Sequence, residues 1–263
     1  MKTDPAQPPI NLHDLAALQA RRPLIVAHRG GVIAANTPEN SLAAIQLAAL
    51  HGYDMVELDV RESKDGTLVL FHGLGDGSLL ADCGVPAAVE DLTAAELAHI
   101  RYRGSTEPLA RLDEALALCA SLGLGVMLDL KARDPSPDYL SRIADLLHET
   151  RLNKSTVTIA QHPRISEFLA GTAILPLSKR ETEQVLDGQL VPSQRRMWFG
   201  WAHELSSASV MPLQQAGVLV IPSINTFHYP LHAQHTLARQ DIRRLKAAGV
   251  DGFQIDSVYE SYI

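Results

Sequence analysis

The sequence predicts an α/β protein, a (β/α)8 barrel of the TIM type with a small insertion after the second strand. Apolar runs that read as strands begin near residues 24, 55, 125, 156, 172, 196, 218 and 252, and most are separated by helical stretches. Eight such repeats over 263 residues suit one barrel. The opening unit, strand, loop, helix and strand over residues 24–59, is a βαβ motif, which predicts a parallel sheet. No linker, internal repeat or low-complexity segment divides the chain. It therefore reads as a single domain over residues 1–263, with residues 73–108 inserted within it.

The composition narrows the field. Hydrophobic residues make up 46% of the chain, enough for one substantial core. A net charge of −7 offers no basic footprint for nucleic acid. That excess of acid serves surface solubility and in part an acidic site. Cys83 and Cys119 do not make a disulfide framework, so both are read as free thiols. No apolar h-region precedes Pro23, and no run approaches the roughly 18 apolar residues of a membrane helix. The expectation is a soluble, cytoplasmic protein without stable membrane insertion, its oligomeric state open.

Taken in order, residues 1–10 are a polar, proline-containing tail, and Asn11–Arg21 reads as a short amphipathic helix. Leu24–Ala27 is a strand buried on both faces, ending at His28. Thr37 is expected to cap a helix with Pro38 at its first position and Glu39 in its first turn. Leu42, Ile45, Leu47 and Leu50 carry that helix to His51, where Gly52 stops it. Met55–Asp59 is the second strand. Lys64-Asp65-Gly66 is a tight turn between Val60–Ser63 and Thr67–Phe71, a hairpin that brings His72 opposite Glu57 or Leu58. The insertion, rich in Gly and Asp, is expected over the barrel mouth with a helix at Thr93–His99. Helices follow at Leu112–Leu122, Pro137–Thr150 and Arg239–Ala248, and a helix end at Gln214–Gly217. Strands are expected at Gly125–Asp129, Thr156–Ala160, Thr172–Leu175, Met197–Gly200, Val218–Ile221 and Gly252–Asp256. No eighth helix fits after Asp256, so the N-terminal helix is expected to cover that face or the barrel floor.

Active residues of such barrels sit at the carboxyl ends of the strands. His28 and Arg29 end the first. Glu57 and Asp59 end the second and share a face, because side chains alternate along a strand. Asp129 ends the third, with Lys131 on its side. Three converging carboxylates suit Mg²⁺ or Ca²⁺. Arg29 and Lys131 suit phosphate, and two histidines, His28 and His72, suit general acid and base. Alone, each of these residues has a blander use: a barrel-end carboxylate as a helix cap, a lysine as a solvated charge. Thr37-Pro38-Glu39-Asn40 reads from physics as a helix N-terminus and nothing more. His13, His51, His99, His148, His232 and His235 are taken as structural. His162, His203 and His228 each follow an expected strand and are candidates for the pocket wall, as are Trp198, Trp201, Phe227 and Tyr229, though core packing suits the tryptophans better. There is no Gly-x-Ser-x-Gly elbow, phosphate loop or paired-cysteine motif.

His28-Arg29-Gly30, Pro38-Glu39-Asn40, Glu57-Leu58-Asp59-Val60, and Lys64-Asp65-Gly66 followed by Val69 and His72 resemble, in order and spacing, the N-terminal signature of the glycerophosphodiester phosphodiesterase family. Asp129-Leu130-Lys131, Ile224-Asn225 and Ala248–Asp256 are similar to its later strands. The resemblance implies a barrel holding one divalent cation, Mg²⁺ or Ca²⁺, on Glu57, Asp59 and Asp129. It implies His28 and His72 as acid and base, and Arg29 and Lys131 on the phosphate of a small phosphodiester, glycerol- or sugar-linked. There are departures: Gly73 stands where the family usually has Asp, and Asp129 where it usually has Glu. The usual Arg-Thr-Thr segment and a tryptophan near Ile221–Ile224 are missing. Two other readings remain beside hydrolysis: phospholipid head-group cleavage resembling sphingomyelinase D, and a barrel that only binds phosphorylated ligands.

Overall fold

Alternation along the strands sorts the buried side chains into two sets, one facing the helices and one facing the barrel interior. The computed structural model describes residues 8–34, 36–73 and 75–263. Helix α1 (Leu15–Arg21) precedes β1 (Leu24–Ala27), and α2 (Leu42–Leu50) returns the chain to β2 (Met55–Glu62), against which β3 (Leu68–Leu70) folds back antiparallel. Short α3 (Leu80–Cys83) and α4 (Ala94–Leu97) precede α5 (Leu112–Leu122). Then β4 (Gly125–Leu130), α6 (Pro137–Glu149), β5 (Thr156–Thr158), α7 (Pro163–Leu169), β6 (Leu175–Pro176), α8 (Lys179–Leu186), β7 (Arg196–Trp201), α9 (Ser207–Gln215), β8 (Val218–Ile224), α10 (Gln234–Ala248) and β9 (Gly252–Ile255) alternate to the end.

The strands pair in the order β5-β4-β2-β1-β9-β8-β7-β6. Every neighbouring pair in that path is parallel. The seam is a single bridge between Val157 and Ile174, where Thr158 N donates to Ile174 O at 3.0 Å. The eight parallel strands therefore form a nearly closed barrel. Ala27, Val56, Leu58, Val60, Val126 and Leu128 face outward and pack among helical side chains such as Ile45, Leu116 and Ile143. Leu24, Val26, Met55, Met127, Val157, Ile174, Met197, Leu219 and Ile221 face inward and join Ile10, Leu12 and Leu18 in a second cluster. Of the two places open to it, the N-terminal stretch thus takes the floor, plugging an interior that would otherwise admit water. The next inward positions up the same strands are Glu57, Asp59 and Asp129.

Several boundaries differ from the sequence reading. The first helix begins at Leu15, not Asn11, because the Asp14 side chain accepts from Ala16 N and Ala17 N. The second begins at Leu42 with Ser41 as its cap, accepting from Ala44 N at 3.1 Å. Thr37 therefore does not cap it; Thr37–Asn40 is a loop. β2 does not end at Asp59 but continues to Glu62, because the hairpin strand pairs with it. The Val60–Leu70 register extrapolates to His72 opposite Leu58, within the two positions expected. The expected helix at 93–99 is one turn, stapled by the reciprocal Thr93 and Glu96 capping contacts. β6 is two residues long and lies later than Thr172–Leu175, ending at Pro176, which has no N–H to donate. Helices α7 and α8 were not marked by the sequence. Residues 1–7 of the expected tail lie outside the described residues.

Val69, Phe71, Leu79, Val89, Leu97, Tyr102 and Leu109 form a small apolar cluster of their own between β3 and the segment that follows it. Among the described residues no helix is long and apolar enough to cross a membrane. The floor plug predicts a separable effect: Leu18→Ala, at a fully buried position, should lower unfolding free energy by about 2–5 kcal/mol. Urea unfolding checks this, and an unchanged midpoint would remove the plug's role in stability.

Candidate active site

The site begins where β1 runs out. Past Ala27 the backbone turns sharply, with Arg29 at φ 53 and Gly30 at φ 80. A Cβ at Gly30 would lie 2.6 Å from Asn40 Cα, so only glycine allows the two loops to touch. The contact is held by Asn40 N donating to Arg29 O at 2.7 Å. Arg29 N in turn donates to Glu57 Oε2 at 2.7 Å. Asn40, itself at φ 55, donates from Nδ2 to Asp59 Oδ2 at 2.7 Å and accepts from Asp59 N at 3.1 Å. The Pro-Glu-Asn loop thus orients a carboxylate of β2 instead of capping a helix.

Glu57, Asp59 and Asp129 each present an oxygen, and the three lie within 4.8 Å of one another. The Lys131 ammonium bridges Asp59 Oδ1 at 2.7 Å and Asp129 Oδ2 at 2.5 Å. Burial, reinforced by the charges of Asp59 and Asp129, pushes the Glu57 carboxyl well above its ordinary range. Burial acts the same way on Asp59, but the charges of Lys131 and His72 and the bonds from Lys131 and Asn40 outweigh it and hold this group low. Asp129 is raised by burial, with Lys131 opposing. Lys131, although burial would lower it, is raised by its two carboxylate partners. Three hard oxygen donors, two of them crowded until their protons are disfavoured to leave, match what a divalent cation seeks.

The two imidazoles flank this cluster. His28 Nδ1 lies 2.6 Å from Asp256 Oδ1, and Asp256 Oδ2 accepts from Thr226 N at 2.6 Å. That leaves His28 Nε2 facing the cluster, 4.0 Å from Glu57 Oε2. His72 Nε2 lies 3.5 Å from Arg29 Nη2, and Arg29 Nη1 donates to Glu39 Oε2 at 2.8 Å. Burial, then the charges of Arg29, Lys131 and His28 against that of Asp59, bring His72 down to about 4. Its main chain is fastened from behind: the buried Arg61 guanidinium donates from Nε and Nη2 to His72 O, and from Nε to Phe71 O at 3.1 Å. Arg61 Nη1 reaches Glu90, in the segment between β3 and α5, at 2.7 Å. Gly73 sits at φ 61, and a Cβ there would lie 2.9 Å from Gly77 Cα. A side chain at this position does not fit this turn.

One cavity of about 160 Å³ is lined by His28, Arg29, Glu57, Asp59, His72, Asp129 and Lys131, the residues singled out from the sequence. It also takes in His228, Trp201 and Phe227 of the candidate wall residues. His162 is elsewhere, capping α7 by accepting from Arg164 N. His203 is not among the lining residues and meets only the edge of Trp201, ring centres 5.4 Å apart. Trp198 is packed in the core, and Tyr229 is buried with its hydroxyl donating to Asp241. Asn40, Glu39, Asp256 and Asn225 were not assigned roles from the sequence. For Asp256 a signal existed: Gly252, Gln254 and Asp256 share the inward parity of β9. Asn40 was marked only as part of the Pro38-Glu39-Asn40 resemblance, and its partner Asp59 is brought by tertiary folding. Asn225 donates from Nδ2 to Gln254, and its Oδ1 has no hydrogen-bond partner among the described residues.

Comparison with known proteins gives this geometry a context. Glycerophosphodiester phosphodiesterase 1 of Homo sapiens is 35% identical over 127 residues, 44% of this chain and 37% of that protein. The match therefore spans little more than a third of that relative. A putative glycerophosphodiester phosphodiesterase from Galdieria sulphuraria has the same fold, with a TM-score of 0.69 at 19% identity, covering 89% of this chain and 93% of the other. An Oleispira antarctica phosphodiesterase, solved in complex with the product sn-glycerol-3-phosphate, aligns with a TM-score of 0.65 at 20% identity, covering 91% and 95%. The model of the glycerophosphoryl diester phosphodiesterase family matches residues 28–260, nearly the whole chain, and the protein belongs to that family.

Proposed function

We propose that this protein hydrolyses a small phosphodiester, a glycerophosphodiester or a sugar-linked one, to a phosphomonoester and an alcohol. The observation that carries the reading is the meeting of Glu57, Asp59 and Asp129 within 4.8 Å, between His28 and His72 in one cavity. Residues 1–263 act as one phosphodiesterase domain in this reading, with 73–108 an insertion that braces His72 through Glu90 and Arg61.

Glu57, Asp59 and Asp129 would hold one Mg²⁺ or Ca²⁺, which when bound supplies positive charge to the phosphoryl oxygens. Arg29 and Lys131 bind the phosphate from the same side and orient it. Lys131 does so on exchanging its carboxylate contacts for the substrate. His72, half-buried beside the cationic Arg29 and Lys131, is suited to accept the proton of the attacking hydroxyl or water. His28, whose Nδ1 is held by the Asp256 carboxylate, is suited to carry a proton on Nε2. As the new P–O bond forms, the bond to the departing alcohol breaks, and His28 protonates the oxygen that leaves. Asp256 acts through His28 and is a positioning residue: it fixes the ring orientation and stabilises the imidazolium.

Three outcomes follow from this arrangement. Excess EDTA should abolish hydrolysis of a glycerophosphodiester, and Mg²⁺ or Ca²⁺ should restore it; undiminished turnover in chelator rejects the cation. His28→Asn and His72→Asn should each lower kcat by about 10²–10⁴-fold, with thermal melting close to that of the parent. Collapse of the melting transition in either variant would show a structural rather than chemical role. Asp256→Asn should lower kcat on the order of 10²-fold or more while KM stays nearly constant, as read from steady-state kinetics; a KM effect alone would assign Asp256 to binding.

A further inference from the structure

We propose that the half of the cavity facing away from the carboxylates is an apolar subsite for the departing alcohol, and that the protein prefers phosphodiesters whose alcohol arm is an alkyl or acyl-bearing chain. The proposal rests on the phosphodiesterase reading above and names the substrate class of the same site.

The cavity wall is divided. Its acidic and basic side chains come from the tips of β1, β2 and β4 and from the hairpin: His28, Arg29, Glu57, Asp59, His72, Asp129 and Lys131. The remaining wall is Ile159 after β5, Phe199 and Trp201 of β7, and Phe227 and His228 after β8, with the uncharged polar side chains of Ser223, Asn225 and Gln254 between the aromatic rings and the acids. Among the described lining residues that half holds no carboxylate, lysine or arginine. The rings are locked together rather than free: Trp201 stacks on His228 with centres 4.8 Å apart, and Phe227 meets His228 edge-on at 4.5 Å. His228 Nδ1 is engaged by Asn225 N at 3.2 Å, and burial brings the ring down to about 4, so it is uncharged near neutrality. Its polar neighbours are largely spent on the protein. Ser223 Oγ donates to Gly200 O, and Gln254 Oε1 accepts from Asn225. Asn225 Oδ1 is shut off from solvent, and what remains, the lone pairs of Ser223 Oγ and the Gln254 side-chain amide, is too little for a polyol, whose every buried hydroxyl would need partners.

The apolar wall continues outward. Trp201 is 44% exposed and Phe227 60% exposed, large aromatic surfaces left in water at the mouth. Ile33, Leu231 and Val258 are also exposed, on the segments that follow β1, β8 and β9. Those strands and β7 are consecutive in the sheet, so five exposed apolar side chains belong to one arc of the barrel's carboxyl end. The direction of cleavage agrees. Arg29 and Lys131 draw the phosphate to the charged half, and the ring of His28, which protonates the leaving oxygen, has its centre 6.1 Å from that of Phe227. The departing arm therefore lies along the aromatic wall and exits over the rim.

A homologous series decides it: glycerol phosphate esterified with methanol, butanol, hexanol and octanol, each below its aggregation concentration, beside the glycerol and inositol esters, all with Mg²⁺. We expect kcat/KM to rise about two- to fourfold per added methylene over the first carbons, releasing alkanol and glycerol phosphate. Trp201→Gln and Phe227→Gln should lower the octyl-to-methyl ratio at least tenfold, and Phe227→Leu should keep it. Because the ratio is taken within each variant, a general loss of activity does not enter. A flat or falling series in the parent protein, release of alkyl phosphate, an unchanged ratio in both glutamine variants, or turnover of long esters only above aggregation would each overturn the proposal. Turnover of polyol esters with a flat alkyl series overturns it alone; no turnover of any diester overturns the phosphodiesterase reading with it.

Discussion

Three carboxylates forced into one hole at the end of a barrel are the constraint from which the rest of the site follows. Like charges at this separation, largely out of water, repel strongly, and an unopposed cluster would shed charge by taking up protons. The Glu57 carboxyl is raised well above the usual range, first by burial and then by the charges of Asp59 and Asp129. Asp59 escapes because Lys131 and Asn40 oppose the burial. Lys131 supplies a counter-charge, bridging two of the acids. A divalent cation with oxygen preference answers the same electrostatic demand more completely than one ammonium can.

The loops around the cluster owe their shape to the need to orient these groups. The turn at Arg29-Gly30 brings main-chain donors onto Glu57, and the absence of a side chain at Gly30 lets the Pro38-Glu39-Asn40 loop press against it. Asn40 then fixes Asp59 from two directions. Behind His72, a buried arginine grips two consecutive carbonyls and ties them to the segment between β3 and α5. Such backbone anchors cost little flexibility at the reacting atoms and hold geometry that exposed side chains alone could not.

The barrel is also polar along its axis and across its mouth. Its floor is closed by Ile10, Leu12 and Leu18, so the interior below the acids is lined by apolar side chains. Across the mouth, charge lies on one side and aromatic surface on the other. A phosphodiester has the same division, an anionic centre between two arms of different character. The match between a divided site and a divided substrate is a physical route to telling the arms apart, which a uniformly charged mouth would lack.

The chain on its own determined what depends on local pattern: the alternation that makes strands, the order of those strands, and the inward parity that sets Glu57 with Asp59 and Asp129 with Lys131. Short-range turn chemistry at Lys64-Asp65-Gly66 was enough to return His72 to the level of the acids. Where partners are distant in sequence, local reading failed. Thr37-Pro38-Glu39-Asn40 has every local mark of a helix start, yet Asn40 is claimed by Asp59 and the helix waits for Ser41. Asp256 is a strand-end acid until the closing of the barrel sets it against His28, 228 residues away. Only the tertiary structure could decide those pairings, and the aromatic wall made from β7 and β8, because a hydrogen bond or a ring stack depends on position in space, and that position exists only after the last strand has docked on the first.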